Sequence, residues 1–150
     1  MSASERSDTL FAGIRAAGLL EEACRSSETA RIEVVRALAL DLGRQLDTLS
    51  GLEEATPDVL AEAAICCADL ANLAACNAPD LPPDAARRAA AATRLSAGAV
   101  DSLVPMVEAG SGDLHEEHAE NLLRDARSAA WRAGFAARLV EGFPEDGSSD

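Results

Sequence analysis

Residues 29–50 read TARIEVVRALALDLGRQLDTLS. Ile32, Val35, Ala39, Leu42, Leu46 and Leu49 recur at alternating intervals of three and four, which places them along one side of an α-helix packed on a nearly straight seam. Leu38 widens that stripe, while Arg36, Gly43, Arg44 and Asp47 fall outside it. The polar RSSE ahead of the segment supplies a helix start, with Ser27 the expected N-cap, and Gly51 supplies the stop.

The same spacing recurs on both sides. Downstream, ATPDVLAEAAICCADLANLAACNAP (55–79) opens with Thr56 as N-cap and Pro57 at the first helical position, where a missing N–H costs nothing. Its seam runs Val59, Ala63, Cys66, Leu70 and Leu73, and Asn77 with Pro79 ends it. A fourth helix is predicted from about Pro83 to Ala109, with a small-residue ridge of Ala85, Ala89, Ala92, Ser96 and Ala99. Pro105 lies inside it and should bend it near Asp101. A fifth runs from Leu114 to about Glu141 on Ala119, Leu122, Ala126, Ala129, Ala133, Ala136 and Val140. Upstream, a helix starting near Ser7 or Asp8 is weakened by Gly13 and Gly18, and Gly18 is a point where it could split. Residues 1–6 and 142–150 read as flexible ends.

Long helices joined by short loops favour antiparallel neighbours. The fold class is therefore all-α: an up-and-down bundle of four long helices, with an additional N-terminal helix capping it or docking on a second copy. Composition agrees. Alanine is abundant, aromatics make up 3% and tyrosine is absent, so strand-favouring residues are scarce. The whole chain of 150 residues is one domain by size.

Charge narrows the function classes. The net charge is −13, and from Asp41 to Asp84 nine acids face Arg44 alone. Such a surface repels a phosphate backbone, so no nucleic-acid partner is expected. All 13 basic residues are arginines, which removes lysine Schiff-base and P-loop chemistry. No segment reads as a membrane span, and MSASERSDTL lacks the regions of a signal peptide. Cys24, Cys66, Cys67 and Cys76 show no CxxC spacing, so they read as small hydrophobes of a cytoplasmic protein.

One stretch concentrates chemistry: SGDLHEEHAENLLRDAR (111–127) holds both histidines. Asp113 as N-cap and Glu116 three residues on would form a capping box, and Glu117 suits the helix dipole. That leaves His115 and His118, three apart on one face. With Glu108 as a third ligand from the preceding helix, they form the candidate site for a divalent metal. The spacing is not the HExxH of zinc proteases, nor the paired Glu-x-x-His motifs of di-iron bundles. No cofactor is expected otherwise. Asp58, Glu62, Asp69 and Asn72 share one side of the third helix with Ile65 and Cys76. They read as its wet side, with a polar small-molecule cavity as the alternative.

Trp131 and Phe135 stand four apart on the fifth helix, with Arg127, Arg132 and Arg138 near them. A chain with so few aromatics is expected to bury them. The competing reading is an interaction anchor of Trp131, Phe135 and Arg127. The function that best fits the sequence is a non-enzymatic, cytoplasmic helical module that binds itself, as a homodimer, or a protein partner. A metal- or small-molecule-binding bundle using His115 and His118 is the alternative.

Overall fold

The alternating seam of residues 29–50 forms helix α2 (Ala30–Ser50) in the computed structural model, which describes residues 3–144, with side chains from residue 6. Its N-cap is Thr29, whose hydroxyl accepts the Ile32 N–H at 3.3 Å. Ser27, the expected cap, instead belongs to the close of helix α1 (Ala3–Cys24), where its N–H donates to the Cys24 carbonyl. The remaining helices are α3 (Pro57–Asn77), α4 (Pro83–Gly110) and α5 (Glu116–Leu139), with one-turn 3₁₀ segments at Ala78–Asp80 and Ser111–Asp113. There is no strand among the described residues. Thr56 caps α3 as its sequence dictates, accepting the Val59 N–H, with Pro57 in the first turn.

Helix α1 starts at Ala3, ahead of Ser7, and runs unbroken through Gly13 and Gly18. Gly13 is packed against α2 and α3, while Gly18 is exposed and is carried by the packing of the residues around it. Residues 3–6, expected to be flexible, are therefore helical, whereas the flexibility expected of residues 1–2 and 145–150 lies outside the described residues. At the other end, the Arg94 guanidinium donates to the carbonyls of Val140 at 3.0 Å and Phe143 at 2.7 Å. These bonds tie the carbonyls just past the end of α5 back to α4. Phe143 packs partly buried against the core, so residues 142–144 are held as well.

Consecutive helices are antiparallel. Gly13 lies against Leu46 and Gly43 against Ala17 across α1–α2, Gln45 meets Glu62 across α2–α3, and Thr93 reaches the Ala71 carbonyl across α3–α4. Helix α5 runs antiparallel to α4 and parallel to α3. The bundle is up-and-down, and α3 with α4 forms its centre. Helix α1 is not a cap. It packs between α2 and α4, with a further contact to α3, making a fifth member of the bundle. Helix α2, which rests mainly on α1 and α3, is the edge.

Alanine explains how five helices fit together. Helix α3 buries Ala61, Ala63, Ala64, Ala68, Ala71, Ala74 and Ala75, and α4 buries Ala85, Ala86, Ala89, Ala90 and Ala92. Short side chains on both partners bring the axes close. Leu10, Leu20, Ile32, Leu46, Leu60, Leu70 and Leu103 fill the remaining interior. Gly13 is the tightest point: a Cβ there would stand 2.8 Å from Cys67 Sγ and 3.1 Å from Leu46 Cδ1.

Helix α4 stays helical through Pro105, which together with Asp101 faces solvent. Water can therefore take the Asp101 carbonyl that lacks an N–H partner. By length and composition, α3 differs from the expectation that no segment reads as a membrane span. Pro57–Asp80 is long and apolar enough to cross a membrane, with a mean hydropathy of 1.6 over its most apolar window. In the bundle, 61% of that window is buried against the other helices.

Candidate functional site

The histidine segment folds differently from its capping pattern. Gly110 ends α4, and Ser111–Asp113 turns once more as 3₁₀, with the Ser111 hydroxyl donating to the Glu108 carbonyl at 3.0 Å. Asp113 is thereby consumed in the turn. His115 takes the N-cap position with no side-chain cap bond, so the expected capping box does not form. Glu116 and Glu117 remain in the first turn, where their charge suits the dipole.

The three candidate metal ligands have separate neighbours. His118 Nε2 lies 2.9 Å from Asp58 Oδ1, at the start of α3. Glu108 Oε1 lies 3.7 Å from Arg127 Nη2. His115 is exposed and precedes the helix, so the shared helical face assumed for the pair is missing. Among the described residues, no group of three or more His, Cys, Asp or Glu side chains is placed to hold a metal ion.

The acidic row of α3 is its wet side: Asp58, Glu62, Asp69 and Cys76 are exposed, and Asn72 and Ile65 half-buried. Its acids brace the flanking helices. Asp58 meets His118, Asp69 accepts from Arg132 at 2.8 Å, and Glu62 accepts from Gln45 at 3.2 Å. The offsets of sixty and sixty-three residues in the two pairs to α5 reflect its parallel register on α3.

The aromatic pair is where burial was expected and exposure is found. Trp131 is 75% exposed, Phe135 51% and Leu139 48%. The reason lies in the opposite stripe of α5. Leu122, Ala126, Ala129, Ala133 and Ala136 form its buried side, and a helix seated so closely on α3 and α4 leaves no slot for a ring. The two rings stack instead on the outer face, with centroids 6.2 Å apart and planes inclined by 14°. Between them and Arg138 is a shallow notch of about 230 Å³, lined also by Ala130 and Gly134. A Cβ on Gly134 would meet no atom within 4 Å. Arg127 stands one turn before Trp131 on this face, held toward Glu108.

A buried charge escaped the sequence reading altogether. Glu21 is only 7% exposed, and its Oε1 accepts from both Arg25 Nε and Arg36 Nε at 2.8 Å. Burial pushes its carboxyl pKa up, but hydrogen bonds and charge from Arg25 and Arg36 together more than reverse this, leaving it lowered. The Arg25 spacing of four was legible as a helical pair. The Arg36 contact depends on how α1 and α2 meet. Glu21 also lines a groove of about 260 Å³ between these helices, with Ile14, Gly18, Leu40, Gly43 and Asp47. Both of its arginine partners are internal, so its role is structural.

The buried thiols of α3 are poor nucleophiles. Burial pushes Cys67 up to about 12 and Cys66 to about 11, so the reactive thiolate is suppressed.

No known protein-family model matches the chain, and comparison with curated proteins finds no significant match. What the surface does must be read from its own chemistry.

Proposed function

We propose that this chain is a helical interaction module whose contact surface is the outer face of α5, centred on Trp131 and Phe135. The observation that carries this reading is the placement of a stacked aromatic pair in solvent, in a chain whose core is built from alanine and leucine. Aromatic residues beside arginine are the commonest energetic anchors of protein interfaces. Arg127 and Arg138 flank the pair, and Leu139 extends the apolar surface by one turn. The partner is another protein or a second copy of this chain. Four free cysteines, three of them buried, suit a reducing compartment such as the cytoplasm.

The test is a Trp131→Ser/Phe135→Ser variant compared with wild type. Sedimentation over a concentration series reads self-association, and chemical cross-linking in the native host reads partners. The variant should keep its helix content and lose its complexes at least 30-fold in affinity, the equivalent of about 2 kcal/mol for an anchor pair. Complexes that persist unchanged in the variant would remove this face from the interaction.

A further inference from the structure

The charge pattern of α5 identifies the kind of partner that fits it. From Arg124 to Val140 there are four arginines and a single acid, Asp125, in a chain whose net charge is −13. These arginines are not equivalent. Arg132 donates to Asp69 on α3, Arg127 faces Glu108 on α4, and Arg124 donates to Asn121. Arg138, at the mouth of the notch beside Gly134, forms no ion pair with a described residue. The outer face therefore combines an apolar wall, a bare glycine floor and, among the described residues, one guanidinium without an ion pair.

We propose that this notch receives an acidic, apolar segment of a partner protein, with a carboxylate on Arg138 and an apolar side chain against Trp131 and Phe135. This rests on the reading of the α5 face as the contact surface. Three features favour that occupant. A volume of about 230 Å³ admits a side chain and is below the usual size of a small-molecule site. Rings around an arginine–carboxylate pair exclude water and so strengthen it. With Arg132, Arg127 and Arg124 already engaged, Arg138 is the arginine of this face left, among the described residues, to meet an incoming acid.

The experiment selects binders from a displayed library of random dodecapeptides against the full-length chain. Trp131 is the only tryptophan, so its emission reports binding at this face directly. The selected peptides are expected to be net acidic with at least one large apolar residue, and to shift Trp131 emission to shorter wavelength. Their affinity should fall at least tenfold in Arg138→Glu and in Gly134→Leu. The second variant fills the notch without touching charge, and Gly134 has room for a side chain. Circular dichroism should show both variants folded as wild type.

Neutral or basic winners, an empty selection, or acidic winners indifferent to Arg138→Glu overturn the acidic occupant. If such winners still fail on Trp131→Ser/Phe135→Ser, the contact face itself stands. Winners indifferent to that double variant remove both. A concentration-dependent dimer abolished by Gly134→Leu replaces the acidic partner with a second copy.

Discussion

Glu21 and Arg36, fifteen residues apart in sequence, meet across the α1–α2 seam with Oε1 and Nε 2.8 Å apart. Arg25 donates to the same oxygen. A carboxylate this buried is stabilised only with its partners in place. Replacing it by Gln removes the charge at nearly constant shape and should cost about 1–3 kcal/mol at neutral pH. The folded-state pKa is lowered from 4.5, so the stabilisation is complete above that value and is lost as pH falls through the lower folded one. Thermal melts from pH 7 down to 3 should show the wild type and Glu21→Gln converging at the acid end. Parallel acid limbs would show that the charge contributes nothing.

Two glycines of α1 should respond oppositely to alanine. At Gly13 the new Cβ would lie 2.8 Å from Cys67 Sγ, an overpacking that typically costs 1–3 kcal/mol, here set against a gain in helix propensity. At Gly18 nothing lies within 4 Å, so Gly18→Ala should gain up to about 1 kcal/mol from propensity alone. Urea unfolding of both variants separates them by sign. Adding Cys67→Ala to Gly13→Ala should recover part of the loss, read as a coupling energy in the double-mutant cycle.

Thiol labelling should resolve the four cysteines into one and three. Cys76 is exposed, while Cys24, Cys66 and Cys67 are buried. With Cys66 raised to about 11 and Cys67 to about 12, a disulfide reagent at pH 8 should modify one thiol rapidly. The other three should follow only at the rate of unfolding. Cys76→Ser should abolish the fast phase.

How much of this was readable beforehand follows from the range of the interactions. Thr56–Pro57 was legible because a cap is decided within four residues. The seam of α2 was legible because six apolar positions agree. The start of α5 was not, because Asp113 lies between two competing outcomes. The last turn of α4 continues as 3₁₀ through Ser111 and takes Asp113 with it. The place of α1 was also hidden, since nothing in its own residues says which pair of helices will admit it. The exposure of Trp131 escaped for a similar reason. The outer side of a helix is defined by neighbours, and here by how close alanine lets them come. Of the proposed metal ligands, the sequence placed His118 and Glu108 at one end of the bundle, but could not reveal that Asp58 and Arg127 stand beside them.

Those neighbours set an expectation for that end. His118 and Asp58 are both about half exposed, so their pair should be worth about 0.2–1 kcal/mol and weaken with salt. His118→Ala should lower Tm by no more than about 4 °C for a chain of this size. With Glu108 held by Arg127 and His115 off the helix, added zinc or nickel should leave the Tm of wild type and of His115→Ala/His118→Ala alike unchanged. A metal-dependent rise in the wild type alone would establish a metal site on these histidines.

The alanine interior inverts the usual map of vulnerability. In most cores the sensitive positions are the largest side chains, because truncation leaves a void. Here Ala63, Ala64, Ala71, Ala74, Ala85, Ala89 and Ala92 are sealed between helices and have nothing left to truncate. Every natural replacement except glycine adds volume to a space that has none. Substitution at these sites is thus blocked in one direction, and room for larger side chains lies mainly on the outward side of α2.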